Sequence, residues 1–272
     1  FNMMVPHSSL EDSTKQGQKY LEQHSESDFL KSVDDELAKQ LVGATLPLVP
    51  AKASVVMDEP GKIRRILPRP TSATSVFLQQ MVAVATTELI VISPYFVPEN
   101  QGVEFFGALV NKGVRVVIIS NSLATTNHSS VHAVYARYRK PLLEQGVELY
   151  ELRPNVASPD STTKLTLHSK VATIDRTRMF VGSFNLDPRS LYLNTEMGMV
   201  VDSGELAGSM ATSILDSLPN IAYRLQLSEK RRLQWLLKAA SGDEVITTEP
   251  QTTWWRRFKT RLMSFLPIES QM

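Results

Sequence analysis

The chain has 272 residues, enough for one large domain or a domain with part of another. Hydrophobic residues make up 42 % and charged residues 21 %, a balance that excludes a disordered or fibrous chain, and a net charge of +1 gives no global field for nucleic acid, so an anion site must be local. The absence of cysteine excludes disulfides, thiolate metal sites and cysteine nucleophiles, and no apolar run approaches the ~20 residues that span a bilayer.

Residues 1–42 are polar, with one helix predicted over 25–40 from Phe29, Leu30, Val33 and Leu37. Leu46–Pro50 reads as an extended linker because its two prolines break a helix. A short strand over Ala53–Met57 and a turn over Asp58–Gly61 follow. Thr71–Thr86 reads as a helix with Phe77, Met81 and Val84 on one side, and Glu88–Ser93 as a buried strand ended by Pro94. A helix over 101–112 is closed by Gly113, and a second buried strand covers 114–120. A helix over 129–145, with Pro141 inside it, is closed by Gly146 and leads to a strand over 147–152. Leu165–Ile174 and Met179–Gly182 flank a polar turn and read as a hairpin, and a further strand covers Glu196–Val201. This alternation predicts an α/β fold, a mixed β-sheet flanked by helices on both faces, with no internal repeat.

On a strand, residues two apart share a face, so His168 and Lys170 point the same way. A lone histidine there is usually structural, but a lysine beside it is seldom buried without a partner. After the hairpin, Gly182 lets backbone approach a ligand, Ser183 and Asn185 offer side-chain donors, and Asp187-Pro188 starts a helical turn. Together these form a cradle for phosphate; alone, the second segment reads as an ordinary capped turn.

The pattern His168-x-Lys170-x4-Asp175-x6-Gly182-Ser183-x-Asn185 resembles the HKD signature of the phospholipase D superfamily, with Glu196 where that superfamily keeps an acid beside the histidine. Ile92–Pro98, Ser120–Ala124, Val131–Arg139, Gly146–Leu152 and Leu266–Ser270 are similar to the second half of bacterial cardiolipin synthases of the C type, over roughly residues 50–272. The resemblance implies that 1–70 are the end of a preceding phospholipase D-like half plus linker. Residues 71–272 would be a catalytic half with one HKD motif and an amphipathic tail.

It further implies phosphatidyl transfer through a phosphohistidine, making cardiolipin from phospholipids. His168 would be nucleophile or general acid, Lys170 would neutralise the non-bridging oxygens, Ser183 and Asn185 would add hydrogen bonds, and Glu196 would hold the His168 tautomer. Asp175 belongs to the motif, but its place at the hairpin turn favours a structural role. The scheme needs no cofactor and no metal. It does need a second histidine, from a missing N-terminal half or a second copy. Hydrolytic phospholipase D, a phosphodiesterase or nuclease of the same superfamily, and a non-catalytic lipid-binding fragment are the alternatives. No nucleic acid partner is expected.

His128 reads as a helix-start residue and His132 as a support of the cleft. Arg137, Arg139 and Lys140 read as a solvated face. In the tail, Trp254, Phe258, Leu262 and Phe265 cluster on one side of a basic helix. Two readings stay open: a terminal helix packed on the domain, or an interfacial membrane anchor. With the second, the protein would be peripheral on the cytoplasmic face of the bacterial inner membrane.

Overall fold

Strands β2 (Glu88–Ile92) and β3 (Arg115–Asn121) are nearly continuous apolar runs, and they lie parallel at the centre of the sheet, buried on both faces. The computed structural model describes residues 49–64, 72–154, 166–239 and 242–265. The helix expected over 25–40, most of the linker at 46–50 and Leu266–Ser270 fall outside these residues.

Around the central pair run β1 (Lys52–Met57), β4 (Glu148–Leu152), β5 (Val171–Ile174), β6 (Arg178–Gly182), β7 (Met197–Asp202), β8 (Ala222–Leu227), β9 (Leu233–Leu237) and β10 (Glu244–Ile246). They form one ten-stranded sheet in the order β1-β7-β6-β5-β2-β3-β4-β8-β9-β10. The β2–β3 and β3–β4 pairs are parallel and the others antiparallel, as a mixed sheet requires.

Side-chain alternation sorts the core into two layers. Leu89, Val91, Val116, Ile118 and Leu149 face helices α1 (Ala73–Ala83), α2 (Glu99–Asn111) and α3 (Ser129–Glu144), meeting Val82, Phe106, Val134 and Leu142. Ile90, Val117 and Ile119 face the opposite way onto Ala211 and Leu218 of α5 (Gly204–Ile221). A short α4 (Pro188–Tyr192) precedes β7, and α6 (Trp254–Met263) packs on α3. Gly113 (φ +89°) and Gly146 (φ +85°) take the left-handed conformation just beyond α2 and α3. Helix α3 runs through Pro141 to Glu144.

A compact unit begins at Ala51, with β1 pairing with β7 from Lys52↔Asp202 to Met57↔Met197. One boundary differs from expectation: the first strand of the hairpin starts at Val171 rather than Leu165. Its partner β2 ends at Ile92, and Pro94 follows, so Thr166–Lys170 leave the ladder.

Candidate active site

The chain entering the site is held by a side chain in place of a strand. Leu167 N–H donates to Asn121 Oδ1 at 3.0 Å, and Asn121 Nδ2 donates to Leu167 O at 3.0 Å. Asn121, the last residue of β3, thus pairs with the backbone one residue before His168 and leaves the imidazole free of the sheet. Tyr95 sets its ring edge-on to His168 (centroids 6.2 Å) and to the helix-start residue His128 (5.3 Å).

Lys170 Nζ donates to His168 O at 2.8 Å and lies 3.3 Å from Nδ1 and 3.4 Å from Nε2 of the His168 ring. The expected shared face is therefore present, even though the backbone here is not a regular strand. Burial pushes the Lys170 ammonium below its ordinary value, while the Glu196 and Asp187 carboxylates favour its charged form.

Both residues line an open cavity of about 810 Å³ with Gly182, Ser183, Asn185, Arg189 and Glu196. Asn185 lines the cavity, and its Oδ1 is buried with no hydrogen-bond partner among the described residues; turning the amide exchanges its oxygen and its donor end. Arg189 is exposed at the cavity wall. His168, Lys170, Asn185 and Arg189 together can take up a phosphodiester: an imidazole for the phosphorus, two cations and an amide for its oxygens. Among the described residues no group of three or more His, Asp or Glu could hold a metal ion.

Glu196 does not touch His168; among the described residues no hydrogen bond joins them. Its Oε2 accepts from Ser183 Oγ at 2.5 Å and its Oε1 from Ser190 Oγ at 2.8 Å. Its hydrogen bonds go instead to the two serines, and its charge favours that of Lys170. Ser190 is fully buried, and its N–H donates to Asp187 Oδ1 at 2.7 Å, the N-cap of α4.

Behind Glu196 lies a layer that sequence reasoning missed. Asp58 Oδ2 accepts from Glu196 N–H at 3.0 Å and from Lys62 Nζ at 2.8 Å, while its Oδ1 accepts from Ser72 Oγ at 2.7 Å and Thr74 N–H at 3.0 Å. Burial alone would raise the Asp58 pKa, but these four bonds bring it down to about 2. Lys62 also donates to Ser190 O at 2.8 Å.

Asp175 lies at the far end of β5 from Lys170. Its carboxylate accepts from both the N–H and Oγ1 of Thr86, both the N–H and Oγ1 of Thr87, and the Glu88 N–H. Burial opposes ionisation, yet these bonds hold its pKa at about 2. In keeping with the structural role that its place at the turn favours, it ties the β5–β6 turn to the start of β2. Gly182 is likewise required by packing. A Cβ there would meet Met197 O at 2.5 Å and the Phe180 ring at 2.6 Å.

His132 and Arg139 are also corrected. Arg139 is buried, not solvated, because Glu151 (3.1 Å) and Glu249 (2.6 Å) claim its guanidinium, which sits over the Tyr135 and Trp235 rings. His132 Nε2 lies 3.7 Å from the same Glu249 oxygen, so it belongs to this buried network and not to the cavity wall. Lys140 is at the surface beside Glu144.

A family model described as "Cardiolipin synthase, PLD-like domain" matches residues 78–216. The chain belongs to this phospholipase D-like family. It is 38 % identical to cardiolipin synthase C of Escherichia coli over 84 % of the chain and 50 % of that protein. It is 31 % identical to cardiolipin synthase A of Pseudomonas aeruginosa over 53 % of the chain and 28 % of that protein. The chain therefore spans half the length, or less, of these curated relatives. NucT of Helicobacter pylori aligns over 63 % of this chain and 98 % of its own, at 17 % identity and a TM-score of 0.48.

Proposed function

We propose that this chain is one catalytic half of a phosphatidyl transferase that makes cardiolipin through a phosphohistidine. The observation that carries the reading is the convergence of His168, Lys170 and Asn185 on one cavity, within a chain so similar to cardiolipin synthase C. In the first step one imidazole nitrogen forms a bond to the donor phosphorus. The bond to the departing alkoxide breaks, and a second histidine supplies that oxygen's proton. In the second step the hydroxyl of another phospholipid attacks the phosphohistidine, gives its proton back to the second histidine, and releases His168 or its counterpart. Lys170, Arg189 and the Asn185 amide hold the phosphorus oxygens throughout.

The second histidine would come from a preceding half or a second copy. An exposed apolar sheet face beside the cavity supports this. Val55, Met57, Val181, Met197 and Met199 are exposed on adjoining strands β1, β7 and β6, and Leu193 of the cavity wall is exposed as well.

The substrate surface is a bilayer, and α6 is suited to dock on it. The helix turns Thr260 inward and leaves Trp254, Trp255, Phe258 and Leu262 exposed, with Lys259 and Arg261 also exposed. No helix among the described residues is long and apolar enough to cross a membrane. The reading is of a peripheral protein on the cytoplasmic face of the bacterial inner membrane.

The test is mass-resolved product analysis with the protein carrying its preceding half, on phosphatidylglycerol and phosphatidylethanolamine vesicles, beside its His168→Ala variant. Cardiolipin formed by the first and lost in the second is the expected result. Phosphatidic acid alone would make the protein a hydrolase. No lipid turnover would return it to the nuclease or lipid-binding alternatives.

A further inference from the structure

A second cavity, of about 390 Å³, adjoins the first through a shared residue, Lys170. Its floor is a row of side chains in register across three strands: Val91 on β2 faces Ala172 on β5, which faces Phe180 on β6. Its walls are Leu78 and Val82 of α1 and Phe105 and Phe106 of α2. Lys170 is the only cation lining it among the described residues, and it directly precedes β5, two residues before Ala172.

The groove thus has an apolar floor, with Ser75, Gln79, Glu99 and Gln101 also among its lining residues, and it carries its one cation where the phosphate-binding groups stand. A water-soluble phosphodiester or a nucleic acid has no use for such a continuation. An amphiphile with its anion at Lys170 and an alkyl chain a few bonds away fills both parts. From this continuity we infer that the groove between α1 and α2 receives one acyl chain of the phospholipid whose phosphate is held by His168 and Lys170. The inference rests on the phosphodiester reading of the first cavity and adds that the site reads the lipid tail as well as the phosphate.

The occupant is a single chain. The volume is too small for a second helix, and Val91, Ala172 and Phe180 give the floor an apolar surface suited to an alkyl chain. A segment of this polypeptide seated there would give the opposite result in the test that follows.

Calorimetric titration of the chain with monoacyl phosphatidylglycerols of increasing tail length, below their micelle concentrations, tests the idea. Glycerophosphoglycerol is the tail-less reference. Affinity should rise about fourfold per added methylene until the groove is full, then level off. Ser75→Trp and Gln79→Trp place a bulky ring at the partly exposed mouth on α1. They should move the plateau to shorter tails without changing glycerophosphoglycerol binding or helical content. A monoacyl lipid with a photoreactive tail should label peptides from 73–106 rather than from the aromatic helix at 254–263. Affinity independent of tail length, a gain untouched by both tryptophans, or labelling confined to α6 would overturn the inference. If glycerophosphoglycerol still binds in those cases, the phosphodiester reading survives alone. If neither reference nor tailed lipid binds, both fall together.

Discussion

The main-chain N–H of Glu196 donates to Asp58 Oδ2 at 3.0 Å, a bond between residues 138 positions apart. Lys62 completes the arrangement by holding Asp58 on one side and Ser190 O on the other. The acid that fixes Ser183 and Ser190 is therefore itself fixed by the segment following β1. Lys62→Met leaves the Asp58 carboxylate buried with its cation gone, since the two side chains are 1 % and 3 % exposed. The expected loss is roughly 3–5 kcal/mol of stability, read from urea unfolding. A loss under about 1 kcal/mol would mean the pair is solvated.

Asp175 should behave as a structural residue. Asp175→Asn replaces a charged acceptor of five hydrogen bonds by an amide that must turn an N–H toward donors, at a cost of roughly 2 kcal/mol. The sign with pH follows from its pKa of about 2 and that of Asp58, also about 2. Both are depressed below the ordinary carboxylate value near 3.9, so their contributions are full above about pH 4 and are lost as pH falls through about 2. Acid unfolding of Asp175→Asn should be shallower than that of the parent. Phosphodiester binding at neutral pH should be unchanged, and a selective loss of binding would restore Asp175 to the site.

The sequence made the central strands, the helices closed by Gly113 and Gly146, and the His168–Lys170 pair readable, because each depends on local periodicity or a local turn. What it hid depends on distance. Asp58-Glu59-Pro60-Gly61 reads as a turn, and only the fold shows that Asp58 and Lys62 are buried on Glu196 and Ser190. Arg139 looks like a surface cation until Glu151 and Glu249 close on it. The α5–β10 region carries weaker local signals. Gly204, Gly208 and Pro219 obscure the helix, although Ala207, Ala211, Ile214 and Leu218 recur at helical spacing. Leu225 and Leu227 alternating with Arg224 and Gln226 were a usable signal for β8.

Asn121 is expected to position His168 without touching substrate. Asn121→Ala removes both bonds to the Leu167 backbone, and a displacement of the imidazole near 1 Å can cost about 100-fold in rate. Cardiolipin formation by the complete protein should fall by that order in kcat, with KM for phosphatidylglycerol little changed. A change confined to KM would place Asn121 on the substrate instead.

Glu196→Gln separates the two roles considered for this acid. Glu196 favours the charged form of Lys170, whose pKa burial has already lowered. Removing that carboxylate lowers it further, so the ammonium is lost at a lower pH. The alkaline limb of the pH–rate profile should move to lower pH in Glu196→Gln. An unmoved alkaline limb with a displaced acid limb would instead point to the His168 imidazole as its partner.

The outward face of α6 makes the membrane reading quantitative. Thr260 is buried, Arg256 Nη2 donates to Thr126 O at 2.8 Å, and Arg137 bonds Ser264 O. These contacts hold the helix to the domain by its polar side and turn Trp254, Trp255 and Phe258 outward as a stacked group. Replacing the three rings by serine should abolish co-sedimentation with phosphatidylglycerol vesicles with little change in Tm, because the rings are exposed and stack on one another. Lys259→Gln and Arg261→Gln should each weaken binding about fivefold at low salt and less at high salt, as a contribution near 1 kcal/mol per surface cation requires. Binding that survives loss of the rings would make α6 a packing element only. A fall in Tm of several degrees would mean that the rings stabilise the domain itself.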